Sequence, residues 1–309
     1  MLLLSYPKET KMPLGPFWLY PYVPLNTLSA NVKNPICKRM SKTFRCFLAL
    51  IFSMVLGEIS AQNAIEPIIK ISAHRGNSLA APENTLATFR KILAIGVEFI
   101  EIDVRTSSDG ALVILHDGNL DRTTSGLGPI KNLTLKEIKK LSAGKGFGEE
   151  FAKEQIPTLE ETAKLISKWN KKHAQKTFIY VDCKQVAAQP LIDLLKKYKL
   201  AEESVFYGND AFLMSLKQVY PQAKLLPALR NKEEIAAKVQ NLQPYAFDVS
   251  WPALNKALVD EIHSKGIRIF SDLLGPFDQT TNYTKAKELK IDLIQTDHVQ
   301  LVKETLFSH

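Results

Sequence analysis

The sequence predicts a (β/α)8 barrel, and three observations carry that prediction. Short β-branched runs recur eight times from Ile68 onward, helical patterns separate most of them, and together they occupy about 240 residues, the usual size of such a barrel. A doubly wound open sheet is the other arrangement such units can adopt. No glycine-rich phosphate loop follows the first run, and eight is a natural closure number, so the barrel is favoured.

The strand-like runs are Ile68–Ala73, Phe99–Arg105, Phe178–Lys184, Ser204–Tyr207, Lys224–Leu229, Ala246–Ser250, Arg268–Ser271 and Leu293–Thr296. Helical periodicity is read over Thr85–Ile95, Leu159–Trp169, Leu191–Lys199, Ala211–Val219, Glu233–Gln240, Lys256–Ser264 and Tyr283–Leu289. Many of these helices are closed by Gly or Pro, as at Gly96, Pro221 and Gly266. The stretch from about 111 to 153 departs from the rhythm. It holds an extra strand (Leu112–His116), a glycine-rich loop and a short helix near Thr134–Leu141, and reads as an insertion after the second strand.

The N-terminal quarter has a different character. From Met40, a basic Ser-Lys-Thr-Phe-Arg segment leads into the apolar run Cys46–Gly57, and small residues then precede a plausible cut after Ala61. The apolar run, 12 residues long, is too short to span a bilayer. Residues 40–61 are therefore expected to be a cleaved signal peptide, and the product periplasmic or secreted. Residues 1–39, rich in Pro, Leu and Tyr and without periodicity, are expected to be a mis-extended or disordered start ahead of initiation at Met40. The catalytic unit is then a single domain from 65 to 309.

The formal charge of +8 changes meaning once that leader is set aside. Residues 1–61 hold seven of the 40 basic residues and two of the 32 acidic ones, which leaves 33 and 30, net +3. No long basic run survives, so nucleic-acid binding has no support. Of the three cysteines only Cys183 lies beyond the leader, so no intrachain disulfide can form there.

The ends of the strands concentrate polar chemistry. The first run stops abruptly at His74-Arg75-Gly76, and a loop through Pro82-Glu83-Asn84-Thr85 leads to the first helix. The second carries Glu101-Ile102-Asp103; residues two apart in a strand share a face, so both carboxylates point one way. Like charges on one face cost repulsion and desolvation. A hard divalent cation would relieve that cost, and so would salt bridges to Arg or Lys. Asp109-Gly110 between apolar runs predicts a hairpin whose register pairs residue 116 with 103, or with 101 if centred one residue earlier, which puts His116 beside the carboxylates. The third strand ends Asp182-Cys183-Lys184, with Asp182 and Lys184 on one face and Cys183 toward the helices. The eighth strand also ends in polar residues, Gln295-Thr296-Asp297-His298, where Asp297 could equally cap a following turn, while His173 and His263 lie in lysine-bearing helical patterns and are expected to be solvated.

Taken together, His74-Arg75-Gly76, Pro82-Glu83-Asn84-Thr85, Glu101-x-Asp103, the Asp109-Gly110 turn with His116-Asp117, Asp182-x-Lys184 and Asp292-Leu-Ile-Gln-Thr-Asp297 resemble the glycerophosphodiester phosphodiesterase family, in the family's order. The resemblance implies a TIM barrel with a small insertion after the second strand. It implies His74 and His116 as the acid–base pair, and Glu101, Asp103 and Asp182 as ligands of one divalent cation, Ca2+ or Mg2+. It also implies Arg75 and Lys184 as phosphate contacts. The implied reaction is hydrolysis of small glycerophosphodiesters to glycerol 3-phosphate and an alcohol. A related phosphodiesterase or phospholipase D-like lyase acting on intact lipid, or a non-catalytic binding module, are the rivals. Three positions depart from the family: Asp182 stands where Glu is usual, the seventh barrel strand ends Ile269-Phe270-Ser271-Asp272 rather than in a Trp-Thr-like pair, and His298 replaces a Pro.

Overall fold

The computed structural model describes residues 69–76 and 79–307; the expectations for 1–39 and for the signal peptide at 40–61 fall outside them. Nine strands form one sheet: β1 (Lys70–Ala73), β2 (Phe99–Thr106), β3 (Leu112–Ile114), β4 (Phe178–Gln185), β5 (Val205–Gly208), β6 (Lys224–Leu229), β7 (Ala246–Val249), β8 (Arg268–Asp272) and β9 (Leu293–Thr296). All but β3 run parallel, and β1 pairs with both β9 and β2, so eight strands close into the expected barrel. Helices α1 (Leu86–Ile95), α2 (Leu135–Ile138), α3 (Leu159–Lys172), α4 (Ala188–Lys197), α5 (Asp210–Val219), α6 (Ile235–Leu242), α7 (Lys256–Ser264), α8 (Thr280–Glu288) and α9 (Val299–Phe307) complete the described chain.

Parity along each strand sorts side chains between two cores. Ile100, Ile102 and Val104 of β2 and Ile179, Val181 and Cys183 of β4 belong to the large cluster shared with the helices. The alternate residues Phe99 and Tyr180 join Val205, Leu226, Ala246, Phe270 and Leu293 in a separate cluster, one residue from each of seven strands, which fills the barrel interior. Above this apolar layer, on the same face, come Glu101 and Asp103, Asp182 and Lys184, Asp248, and Asp272. The apolar floor thus sets the depth at which chemistry can begin.

Local signals explain where the helices start. Thr85, Thr134 and Thr158 each cap a helix, the last two in full capping boxes with Glu137 and Glu161. α4 begins at Ala188, a turn earlier than periodicity indicates, because Pro190 is tolerated in a first turn. The C-terminal α9 was not among the expected helices. The insertion after β2 has its own small core of Val113, Leu115, Leu120, Ile130, Ile138, Ala143 and Ile156.

The hairpin differs from expectation in register. β2 and β3 pair Val104 with Ile114 and Thr106 with Leu112, and the Ser107 N–H donates to the Ala111 carbonyl at 2.9 Å. That closes a three-residue loop, Ser108–Gly110, with Gly110 at φ 85°. The loop is held from outside: the Asp109 carboxylate accepts the Leu135 N–H at the start of α2 and the Ser107 hydroxyl. This register would send a continued ladder's residue 116 to the outward face. The ladder instead ends at Ile114, and His116 is positioned by other means.

Gly76 closes the turn after β1 at φ 82°, and a Cβ there would lie 2.6 Å from Thr88 Cγ2 and 2.7 Å from Phe89 Cδ1. Gly76→Ala should lower stability by roughly 1–3 kcal/mol, read from the urea midpoint; an unchanged midpoint would contradict this packing.

Candidate active site

Glu101, Asp103 and Asp182 converge at the C-terminal mouth of the barrel. β2 and β4 run in register there, Asp103 beside Asp182, and oxygens of all three carboxylates lie within 4.8 Å of one another. Asp103 is 1% exposed and Glu101 3%. Burial, then the charges of Asp103 and Asp182, push the Glu101 carboxyl well above its usual range, and burial with Asp103 raises Asp182 also. Such a cluster of hard oxygen donors in mutual repulsion fits a divalent cation.

The protein's own groups answer this charge only in part. Lys184 Nζ lies 2.6 Å from Asp182 and 3.4 Å from Asp103. A bulge makes that reach possible, since Val104 pairs with Cys183 and Arg105 with Gln185, leaving Lys184 as the extra residue. Although burial opposes it, Asp182 and Asp103 hold the Lys184 ammonium above its ordinary pKa. Asn84, buried at φ 56°, donates its amide to Asp103 at 2.7 Å. Arg75, at φ 49°, donates its backbone N–H to Glu101 at 2.8 Å. Its guanidinium bonds Glu83 at 3.0 Å, while its buried Nε, 3.7 Å from Asp103, has no hydrogen-bond partner.

Chain neighbours tie both histidines to this centre, Arg75 through Glu101 and Leu115 through the Asp103 backbone, and each ring has its Nδ1 held by a carboxylate. His74 Nδ1 lies 3.0 Å from Asp297, and His116 Nδ1 lies 2.7 Å from Asp117. That leaves Nε2 on each ring as the nitrogen able to exchange a proton. His116 arrives there after leaving the ladder: Leu115 N–H bonds the Asp103 carbonyl, and the Arg105 guanidinium clamps the His116 carbonyl at 2.6 Å. Asp117 in turn is gripped by Arg122, which also makes two bonds to Glu83 at 2.8 Å. Arg122 hydrogen bonds and the neighbouring His116 keep Asp117 ionised well below the usual carboxylate range. A chain Arg75–Glu83–Arg122–Asp117–His116 therefore ties the first strand's turn to the insertion.

The fold supplies partners that the sequence left open. Of the two readings open for Asp297, the contact with His74 is the one seen; Asp278 accepts the Asp297 N–H at 2.8 Å and bonds Thr296 and Tyr283. His263, about one third exposed, is paired with Asp292 at 2.9 Å, and His173 is exposed. Arg122, Asp278 and the pairing role of Asp297 escaped sequence reasoning because nothing in local pattern reports contacts between residues so far apart. Asn84 and Glu83 belonged to a motif already noted, and their partners become visible only in the fold.

A barrel with a cation-ready acidic centre and two carboxylate-held histidines at its mouth is the architecture of a phosphoric diester hydrolase. A profile of the glycerophosphoryl diester phosphodiesterase family matches residues 74–301, and the chain belongs to that family. It is 35% identical over 214 residues to a glycerophosphodiester phosphodiesterase of Caldanaerobacter subterraneus subsp. tengcongensis, covering 65% of this chain and 83% of that one. Identity to a Bacillus subtilis glycerophosphodiester phosphodiesterase is 32% over 257 residues, or 74% of this chain and 85% of the relative. Among solved structures, an Oleispira antarctica phosphodiesterase in complex with the product sn-glycerol-3-phosphate superposes with a TM-score of 0.70 at 26% identity, covering 77% of this chain and 97% of that one. Among the described residues no helix is long and apolar enough to cross a membrane.

Asp272 at the end of β8 has its carboxyl pushed up to about 6, by burial first and by Asp182 among its neighbours, against the lowering effect of His74. The folded protein therefore holds a proton there that the unfolded chain has already released, and stability falls as pH rises from about 4 to about 6. Asp272→Asn should be more stable than the parent at pH 8, with the advantage fading near pH 4, in paired thermal melts. An advantage independent of pH would contradict the cause given.

Proposed function

We propose that this protein hydrolyses small-molecule glycerophosphodiesters to glycerol 3-phosphate and an alcohol, with His74 and His116 as its acid–base pair. The observation that carries the reading is the convergence of two carboxylate-held imidazoles on one acidic centre. Membership of the family, and the product bound by the Oleispira relative, support the substrate class.

Glu101, Asp103 and Asp182 would hold one divalent cation, Ca2+ or Mg2+, which when bound neutralises phosphodiester charge and makes the phosphorus easier to attack. Arg75 is suited to the phosphate because its buried Nε has a proton and no acceptor. Lys184 is suited to it as a point charge once its carboxylate partners are otherwise engaged. One histidine accepts the proton of the attacking hydroxyl, from water or from the substrate's own glycerol, and the other delivers a proton to the leaving alcohol oxygen. Asp297 and Asp117 fix the ring tautomers and stabilise each imidazolium as it forms. Export to the periplasm or the exterior is part of the proposal and rests on the leader pattern at 40–61.

His74→Ala and His116→Ala should each lower turnover by at least about 10²-fold with the fold intact. Asp297→Asn should lower it too while leaving His74 in place. A phosphate-release assay on glycerophosphodiesters, with circular dichroism as the folding control, checks all three; near-parental rates in both histidine variants would rule the assignment out.

A further inference from the structure

The opposite wall of the mouth carries a second pair of carboxylates that the catalytic reading does not use. Asp248 on β7 pairs in register with Phe270 on β8, and Asp272 lies two residues further along β8 on the same face. Both rise directly above Ala246 and Phe270 of the barrel's apolar floor. Neither has a hydrogen-bond or ion-pair partner among the described residues, and both are half-buried. The nearest buried donor is also unused. Tyr180, 3% exposed, has no hydrogen-bond partner among the described residues. Burial and then the fields of Asp248 and Asp272 hold its hydroxyl strongly in the protonated form.

These carboxylates line a cavity of about 300 Å³ whose other walls include Trp251, Phe277 and Leu274. Arg230 reaches the same cavity from an exposed position and forms no ion pair with either carboxylate. Burial holds both carboxyls toward the neutral form, so a cation between them is what would favour their ionised state. Indole and phenyl rings in the same wall suit an ammonium or quaternary ammonium group, which the negative faces of aromatic rings attract. Asp272, in the wall of this cavity, feels the charge of His74.

We propose that this cavity receives the leaving alcohol and that Asp248 and Asp272, against Trp251 and Phe277, select an alcohol bearing an ammonium or quaternary ammonium group. The inference rests on the glycerophosphodiester reading above and narrows it to cationic head groups.

The test compares kcat/KM at pH 8 for glycerophosphocholine and glycerophosphoethanolamine with that for glycerophosphoglycerol and glycerophosphoinositol. The parent enzyme should favour the cationic pair by about tenfold or more, and Asp248→Asn with Asp272→Asn should reduce that ratio by about tenfold. An unchanged ratio in the folded double variant, or a parental preference for the neutral alcohols, would overturn the inference while leaving glycerophosphodiester hydrolysis standing. If no glycerophosphodiester is turned over, the parent reading fails, and calorimetry with choline decides the pocket separately. Choline binding that weakens about tenfold in the double variant would support it; no binding to the parent protein would overturn it.

Discussion

Glu101, Asp103 and Asp182 repel one another inside a volume that water barely reaches, and much of the surrounding structure is a response to that repulsion. Two strands in register bring Asp103 and Asp182 side by side, and strand parity adds Glu101 one step below. Asn84 donates to Asp103, the Arg75 backbone donates to Glu101, and Lys184 swings over a bulge to meet Asp182. Two of these groups sit on backbones that ordinary residues avoid, Arg75 at φ 49° and Asn84 at φ 56°. Such conformations cost of order 1–3 kcal/mol each and persist only where surroundings enforce them. Here the enforcement comes from the Asn84 N–H bonding the Arg75 carbonyl, and from Gly76 packed against α1.

The histidines are organised around the same centre but anchored independently of it. His74 is held from β9 through Asp297, whose backbone is in turn fixed by Asp278. His116 is held from the insertion through Asp117 and Arg122, and Arg122 is tied to the turn after β1 through Glu83. Each ring therefore has its own support, drawn from the strands on either side of β1. Below them a closed apolar layer keeps water and charge from the interior, so that all polar groups are presented at one end.

Much of this was legible in the sequence because strands report parity directly. The spacing of Glu101 and Asp103, and of Asp182 and Lys184, is enough to place each pair on one face, and the fold sets them side by side. Hairpin register was less legible. It depended on Asp109 reaching α2, a contact with a residue 26 positions away, and the three-residue loop that results invalidates the argument that put His116 beside the carboxylates. The histidine is nonetheless at the site, held by Arg105 rather than by a ladder. Likewise nothing local distinguishes an Asp297 that caps a turn from one that orients a histidine 223 residues earlier. Asp248 carries no local signal, since a single carboxylate in a four-residue strand becomes meaningful only when its neighbour across the sheet is known.

The central claim is that the three carboxylates form a cation site whose charge the protein's own lysine meets only provisionally. Anomalous diffraction from crystals soaked in Mn2+ tests it most directly. The account predicts one strong peak bounded by Glu101, Asp103 and Asp182, with the Lys184 ammonium moved off Asp182. A peak elsewhere, with Lys184 still seated on Asp182, would contradict it.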